Sequence, residues 1–185
     1  MDVCNMAAMP TAGDAPTPTV HHMASTLRFP SISSRDLTGT TRELPGDFEG
    51  SLVVALIAFR QRQQSDVDSW LGLLTELADT HGDLRHYELP VIGRQWAPVR
   101  RFIDGGMARS IGDPDVLART LTVYGDVGQV CTPLGITDRD SITVVLTDRA
   151  GEVHWLSSGR PTPANEASLR QAIDKLVTRR RQPPH

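Results

Sequence analysis

The chain has 185 residues, 39% of them hydrophobic and 22% charged, which suits one domain that closes its own core without disulfide staples. A formal net charge of -3 gives no electrostatic reason to expect nucleic acid or an anionic membrane as partner. No apolar run approaches the roughly 18 residues of a membrane-spanning helix, so direct membrane insertion is not expected.

Residues 1–27 are rich in Ala, Thr, Pro and Met without periodicity and read as a disordered leader. They lack a basic segment followed by an apolar one, and they carry Asp2 and Asp14 with no cation, so secretion and organelle import are not indicated. Met23 is an equally good start, and a cytoplasmic, reducing location is the default. His21 and His22 are adjacent in this leader and define no metal site. Lys175 is the one lysine among 19 basic residues, an arginine bias that suits a GC-rich, bacterial gene.

The domain is expected over residues 28–179, with a frayed tail over 180–185. "FPSISSRDLTGTTRELPGDFEG", residues 29–50, alternates apolar positions with turn residues, as a leading β-hairpin or irregular edge segment does. "LVVALIAF", residues 52–59, is eight apolar residues in succession and predicts a strand covered on both faces. A polar loop follows, and then Val67, Trp70, Leu71, Leu74, Leu77 and Ala78 recur at helical spacing, with Ser65 and Asp68 as an N-terminal capping pair. "LRHYELPVI", residues 84–92, supplies a strand parallel to the first if the helix is a crossover.

"QWAPVRRFIDGG" predicts a second helix with Trp96, Val99, Phe102 and Ile103 on one face, and Asp113 with Pro114 opens a short third one. "LTVY" is a strand and "GDVGQVCTPLGI" a short helix or turn. "SITVVLTDRAGEVHWLSSG" reads as two strands joined across Asp148 to Gly151. Thr162 and Pro163 open a closing helix whose Leu169, Ala172, Ile173, Leu176 and Val177 face the core, before the polar end "TRRRQPPH". The order is an α/β sandwich with a mixed central sheet flanked by helices.

This order resembles the thioredoxin-like fold, with "LPGDFEGSLVVALIAF" and "LGITDRDSITVVLTDRAGEVHW" similar to the peroxiredoxin and alkyl hydroperoxide reductase branch. "YELPVIGRQWAPVRRFIDGGM" and "LTVYGD" are similar to the thioredoxin-like assembly chaperones of the mitochondrial ATP synthase and their bacterial relatives. Active members of the superfamily carry a thiol on the loop before the first helix, where the helix N-terminus stabilises a thiolate. Here that loop is "RQRQQSDV" and holds no cysteine. The place of the thioredoxin cis-proline falls near Ile142, and no proline stands between Pro133 and Pro161. The resemblance therefore implies a redox-inactive protein that binds another protein, as an assembly or folding helper, with no cofactor.

The candidate binding residues are Arg60, Arg62, Gln64, Ser65 and Asp66, on the loop at the C-terminal edge of the sheet where open α/β folds bind ligands. Arg60 and Arg62 beside a helix N-terminus suit a carboxylate or phosphate, which makes a small-anion binder one alternative. A divergent peroxidase or thiol oxidoreductase working through Cys131 is the other, although nothing in its neighbouring sequence activates the thiol. Cys4 and Cys131 have no CxxC spacing. His81, His86 and His154 show no zinc-ligand spacing, so no metal is expected. Trp70, Trp96 and Trp155 read as core. The sequence leaves the partner open and is compatible with a homodimer.

Overall fold

The computed structural model describes residues 27–93 and 114–181. The leader with His21 and His22, the expected second helix with Trp96, Val99, Phe102 and Ile103, and Asp113 lie outside the described residues. Strands β1 (Ile32–Asp36) and β2 (Thr41–Leu44) form the leading hairpin, with Ile32 opposite Leu44. β3 (Leu52–Ala58), helix α1 (Gln64–Thr80) and β4 (Leu84–Gly93) are the expected crossover, β3 and β4 pairing parallel from Leu52 opposite Leu84 to Ala58 opposite Pro90.

After the undescribed segment come α2 (Pro114–Arg119), β5 (Leu121–Gly125) and the five-residue α3 (Val127–Cys131), whose N-cap Asp126 accepts from Gly128 N. β6 (Thr143–Asp148), β7 (Val153–Ser158) and α4 (Pro163–Arg181) complete the chain. The sheet order is β2-β1-β5-β4-β3-β6-β7. β3 lies parallel to β4 and antiparallel to β6, so the sheet is mixed.

The apolar run of β3 divides by the two-residue period of a strand. Val53, Ala55 and Ile57 point to one face, with Phe29, Phe48, Leu89, Val123 and Val130. Leu52, Val54 and Leu56 point to the other, under Val67, Trp70, Leu74 and Leu77 of α1 and Leu169 and Ile173 of α4. Both faces are dry, which is why no polar residue interrupts the run. Trp70 and Trp155 meet edge to face with ring centroids 6.2 Å apart, and each indole N–H has an acceptor, Gly159 O and Ser168 Oγ respectively. They are core residues, as expected.

Thr162 and Asn165 cap α4 reciprocally, Thr162 N donating to Asn165 Oδ1 and Asn165 N to Thr162 Oγ1. The helix then runs through Arg179 and Arg180 to Arg181. The β6–β7 turn needs its glycine: Gly151 has φ +80°, and a Cβ there would lie 3.0 Å from Pro45 Cγ, while Gly151 O accepts from Phe29 N.

Capping of α1 differs from the sequence expectation. Ser65 and Asp68 do not cap it. The helix begins at Gln64, one residue before Ser65, directly after a 3-10 turn over Gln61–Gln63. Ser65 is thus inside the first turn, and Asp68 accepts from Gln64 Nε2 instead. The stitching falls to Gln63.

Candidate functional site

At the C-terminal end of β3 the Gln63 side chain is 1% exposed and folds back over the loop. Its Oε1 accepts from Phe59 N at 2.7 Å and Arg60 N at 3.0 Å, and its Nε2 donates to Arg139 O at 3.0 Å. One amide thus joins the end of β3, the start of α1 and the loop that enters β6. All three bonds are part-buried, so each group exchanges part of its hydration for a protein partner. Sequence reasoning missed this residue, because a glutamine among three in "QRQQ" carries no mark of burial. The one available signal is its spacing of three from Arg60, the reach-back spacing of a capping box.

The five sequence-predicted residues divide into three contacts. Arg60 Nη2 and Arg62 Nη2 each lie 2.8 Å from Asp140 Oδ1, so the arginine pair expected to stand open shares an internal carboxylate. All three side chains are about half exposed or more, 48%, 61% and 68% respectively, and solvent and salt weaken such pairs. Asp66 Oδ1 lies 3.1 Å from Arg160 Nε, and Arg160 Nη2 donates to Ser65 O. Gln64 Nε2 donates to Asp68 Oδ1 at 2.9 Å and to Glu88 Oε2 at 3.4 Å.

That last contact leads to two titratable residues of β4 on the α1 face. Burial pushes the Glu88 carboxyl up; the Gln64 amide lowers it, Asp68 raises it further and Arg119 lowers it. Burial, with the positive charge of Arg119 adding to it, pushes His86 down to about 4. At neutral pH that imidazole is uncharged.

Cys131 sits apart from the loop chemistry expected of a reactive thiol. It is 8% exposed and is the last residue of α3, the helix end whose partial negative charge opposes a thiolate. Burial pushes the thiol up, and Arg139 offsets only part of that. A thiol in such surroundings is a small apolar filler.

At the opposite end of β3 a further cluster forms in the β6–β7 hairpin. His154 Nε2 lies 3.2 Å from Asp148 Oδ2, and with the Glu152 carboxylate the three ligand atoms fall within 4.8 Å of one another. The Asp148 carboxyl is lowered from its ordinary value: burial raises it, but the Glu152 and Ala150 N–H groups and His154 outweigh that. The other histidine expected to be inert, His81, lies 3.6 Å from Asp174.

No protein-family model matches the chain, and no curated protein matches it. Solved structures do. A DsbF homologue from Corynebacterium diphtheriae is 14% identical, covering 89% of this chain and 96% of its own, with a TM-score of 0.54. A hypothetical protein from Sinorhizobium meliloti is 15% identical over 88% of both chains, TM-score 0.53. The thioredoxin domain of a thiol-disulfide oxidoreductase from Bacteroides vulgatus is 16% identical over 82% of this chain and 99% of its own, TM-score 0.51. With its mixed seven-stranded sheet, the chain has the thioredoxin-like fold. At these identities the likeness is one of fold. No helix among the described residues is long and apolar enough to cross a membrane.

Proposed function

We propose that this chain is a redox-inactive thioredoxin-like protein that works by binding a protein partner, as an assembly or folding helper. The observation that carries the reading is Gln63. Where a thioredoxin relative keeps its thiol loop against the loop of its cis-proline, this chain has an amide hydrogen-bonded to both sides. Nothing in that position can be oxidised or can attack a disulfide.

The surface for contact is the polar rim around it, Arg60, Arg62, Gln64, Ser65 and Asp66. A carboxylate on the partner competes with Asp140 for the two guanidinium groups, and bidentate pairing gives it an advantage over the single Asp140 oxygen they now share. The likeness of "YELPVIGRQWAPVRRFIDGGM" to the ATP synthase assembly chaperones supports a helper role, and a cytoplasmic setting is part of the same proposal.

In a dithiothreitol-driven insulin reduction assay the protein is expected to give background rate, and peroxide consumption is expected to match buffer. Turnover in either assay overturns the reading. Affinity capture from the native cell with the intact protein and with Arg60→Ala/Arg62→Ala is expected to lose its specific partner in the variant. The enzyme alternative through Cys131 requires a thiol that alkylates with a midpoint well below the ~8.5 of a free cysteine. The burial of Cys131 leads us to expect a midpoint above it.

A further inference from the structure

The β6–β7 hairpin holds a set of side chains that the partner-binding reading does not use. Between the pairs Leu146 with Trp155 and Thr147 with Val153 the register slips by one residue, so His154 is the extra residue of a β-bulge. Bulges re-aim side chains, and this one brings the imidazole Nε2 within 3.2 Å of Asp148 Oδ2, across the hairpin. Both side chains are mostly buried, at 14% and 17% exposure. Asp148 is fixed from behind, because its Oδ1 accepts from Glu152 N at 2.9 Å, leaving Oδ2 to face His154. Thr147 Oγ1, donating to Glu152 O, and Gly151 at φ +80° hold the turn that carries Glu152. The Glu152 carboxylate is exposed and completes a group of one nitrogen and two oxygen donors within 4.8 Å.

We propose that Asp148, Glu152 and His154 form a three-ligand site for a divalent cation of the zinc class. The ligand types are those of zinc sites with bond lengths of about 2.0 to 2.2 Å, and two donors at tetrahedral positions around such an ion stand about 3.3 Å apart. The 3.2 Å between His154 Nε2 and Asp148 Oδ2 already has that spacing, whereas for a hydrogen bond it is at the long end of the usual range. The anchored second oxygen of Asp148 is the kind of outer support that fixes a ligating carboxylate. Imidazole favours zinc over magnesium or calcium, and three protein ligands leave one coordination position open for water or for a donor from a partner.

The test is isothermal titration calorimetry of the full chain with zinc chloride, in a His21→Ala/His22→Ala background so that the paired leader histidines do not contribute. One zinc per chain is expected, with magnesium chloride giving no heat. Glu152→Gln, on an exposed position that leaves the hairpin intact, and His154→Gln are each expected to weaken binding at least about tenfold. Circular dichroism checks the fold of each variant, and should His154→Gln fail to fold, Glu152→Gln decides alone. Absence of zinc binding up to about 1 mM, or affinity unchanged within about twofold in Glu152→Gln, overturns the site.

Discussion

The two ends of β3 carry polar clusters of opposite character. At its C-terminal end the Gln63 amide is buried and every atom of it is committed, and around it two exposed arginines share one carboxylate oxygen. Opposite its N-terminal end, where Leu52 pairs with Asp148, Asp148, Glu152 and His154 converge with their ligand atoms within 4.8 Å of one another. The first arrangement ties the end of β3, the start of α1 and the loop entering β6 into one platform. The second is an incomplete coordination shell on a rigid hairpin.

The sharpest way to break this contrast is to remove the committed amide. Gln63→Ala leaves the Phe59 and Arg60 N–H groups and the Arg139 carbonyl without their partner. A buried group left unsatisfied costs about 1 to 3 kcal/mol, and these three bonds are part-buried, so with water recovering part of it the expected loss is about 3 kcal/mol in urea denaturation. A loss below about 1 kcal/mol would show that the loop rearranges freely and that the platform is not rigid.

Next in size is the acid response of β4. His86 takes a proton near 6.5 in the unfolded chain but only near 4 in the folded one. The unfolded state therefore binds more protons between those values, and stability falls as pH drops from about 6.5 toward 4, by at most about 3 kcal/mol. Glu88 acts in the other direction: its raised pKa adds stability as pH falls through that value and offsets part of the loss. His86→Leu is expected to flatten the decline of the urea midpoint between pH 6.5 and 4. A slope unchanged by that substitution would place the titration elsewhere.

What the sequence made legible follows from periodicity. The unbroken run "LVVALIAF" needed apolar cover on both faces and has it, the helix after it faces β3 with Val67, Trp70, Leu74 and Leu77, and Asp148 to Gly151 make the turn expected of them. The site was less legible, for a different physical reason in each case. Arg62 meets Asp140 from 78 positions away, a distance no local pattern encodes. Gln63 looks like its neighbours until burial distinguishes it. His154 joins Asp148 only because β7 slips by one residue, and a slip in register changes no residue type. Serine usually takes the cap position, which makes Ser65 the local expectation, whereas the longer Gln63 side chain reaches back to Phe59 N and Arg60 N and across to Arg139 O.

Two smaller substitutions test each end separately. Gly151→Ala forces a side chain onto φ +80° with its Cβ 3.0 Å from Pro45 Cγ, and about 2 kcal/mol of destabilisation is expected in thermal unfolding. Zinc affinity should fall with it, because Glu152 follows directly and takes its direction from this turn. A variant that unfolds earlier yet binds zinc as before would separate the hairpin's stability from its ligand geometry.

Arg60→Ala/Arg62→Ala should have the smallest effect on folding, within about 0.5 kcal/mol, since both pairs with Asp140 are solvent-exposed and salt-screened. The same variant is expected to lose the partner. That combination, near-native unfolding with abolished capture, is the mark of a contact surface, because a residue kept for structure moves both readouts together. If the double variant is destabilised by 2 kcal/mol or more, Arg60 and Arg62 belong with Gln63 as supports of the loop. The partner surface then has to be sought beyond these two arginines.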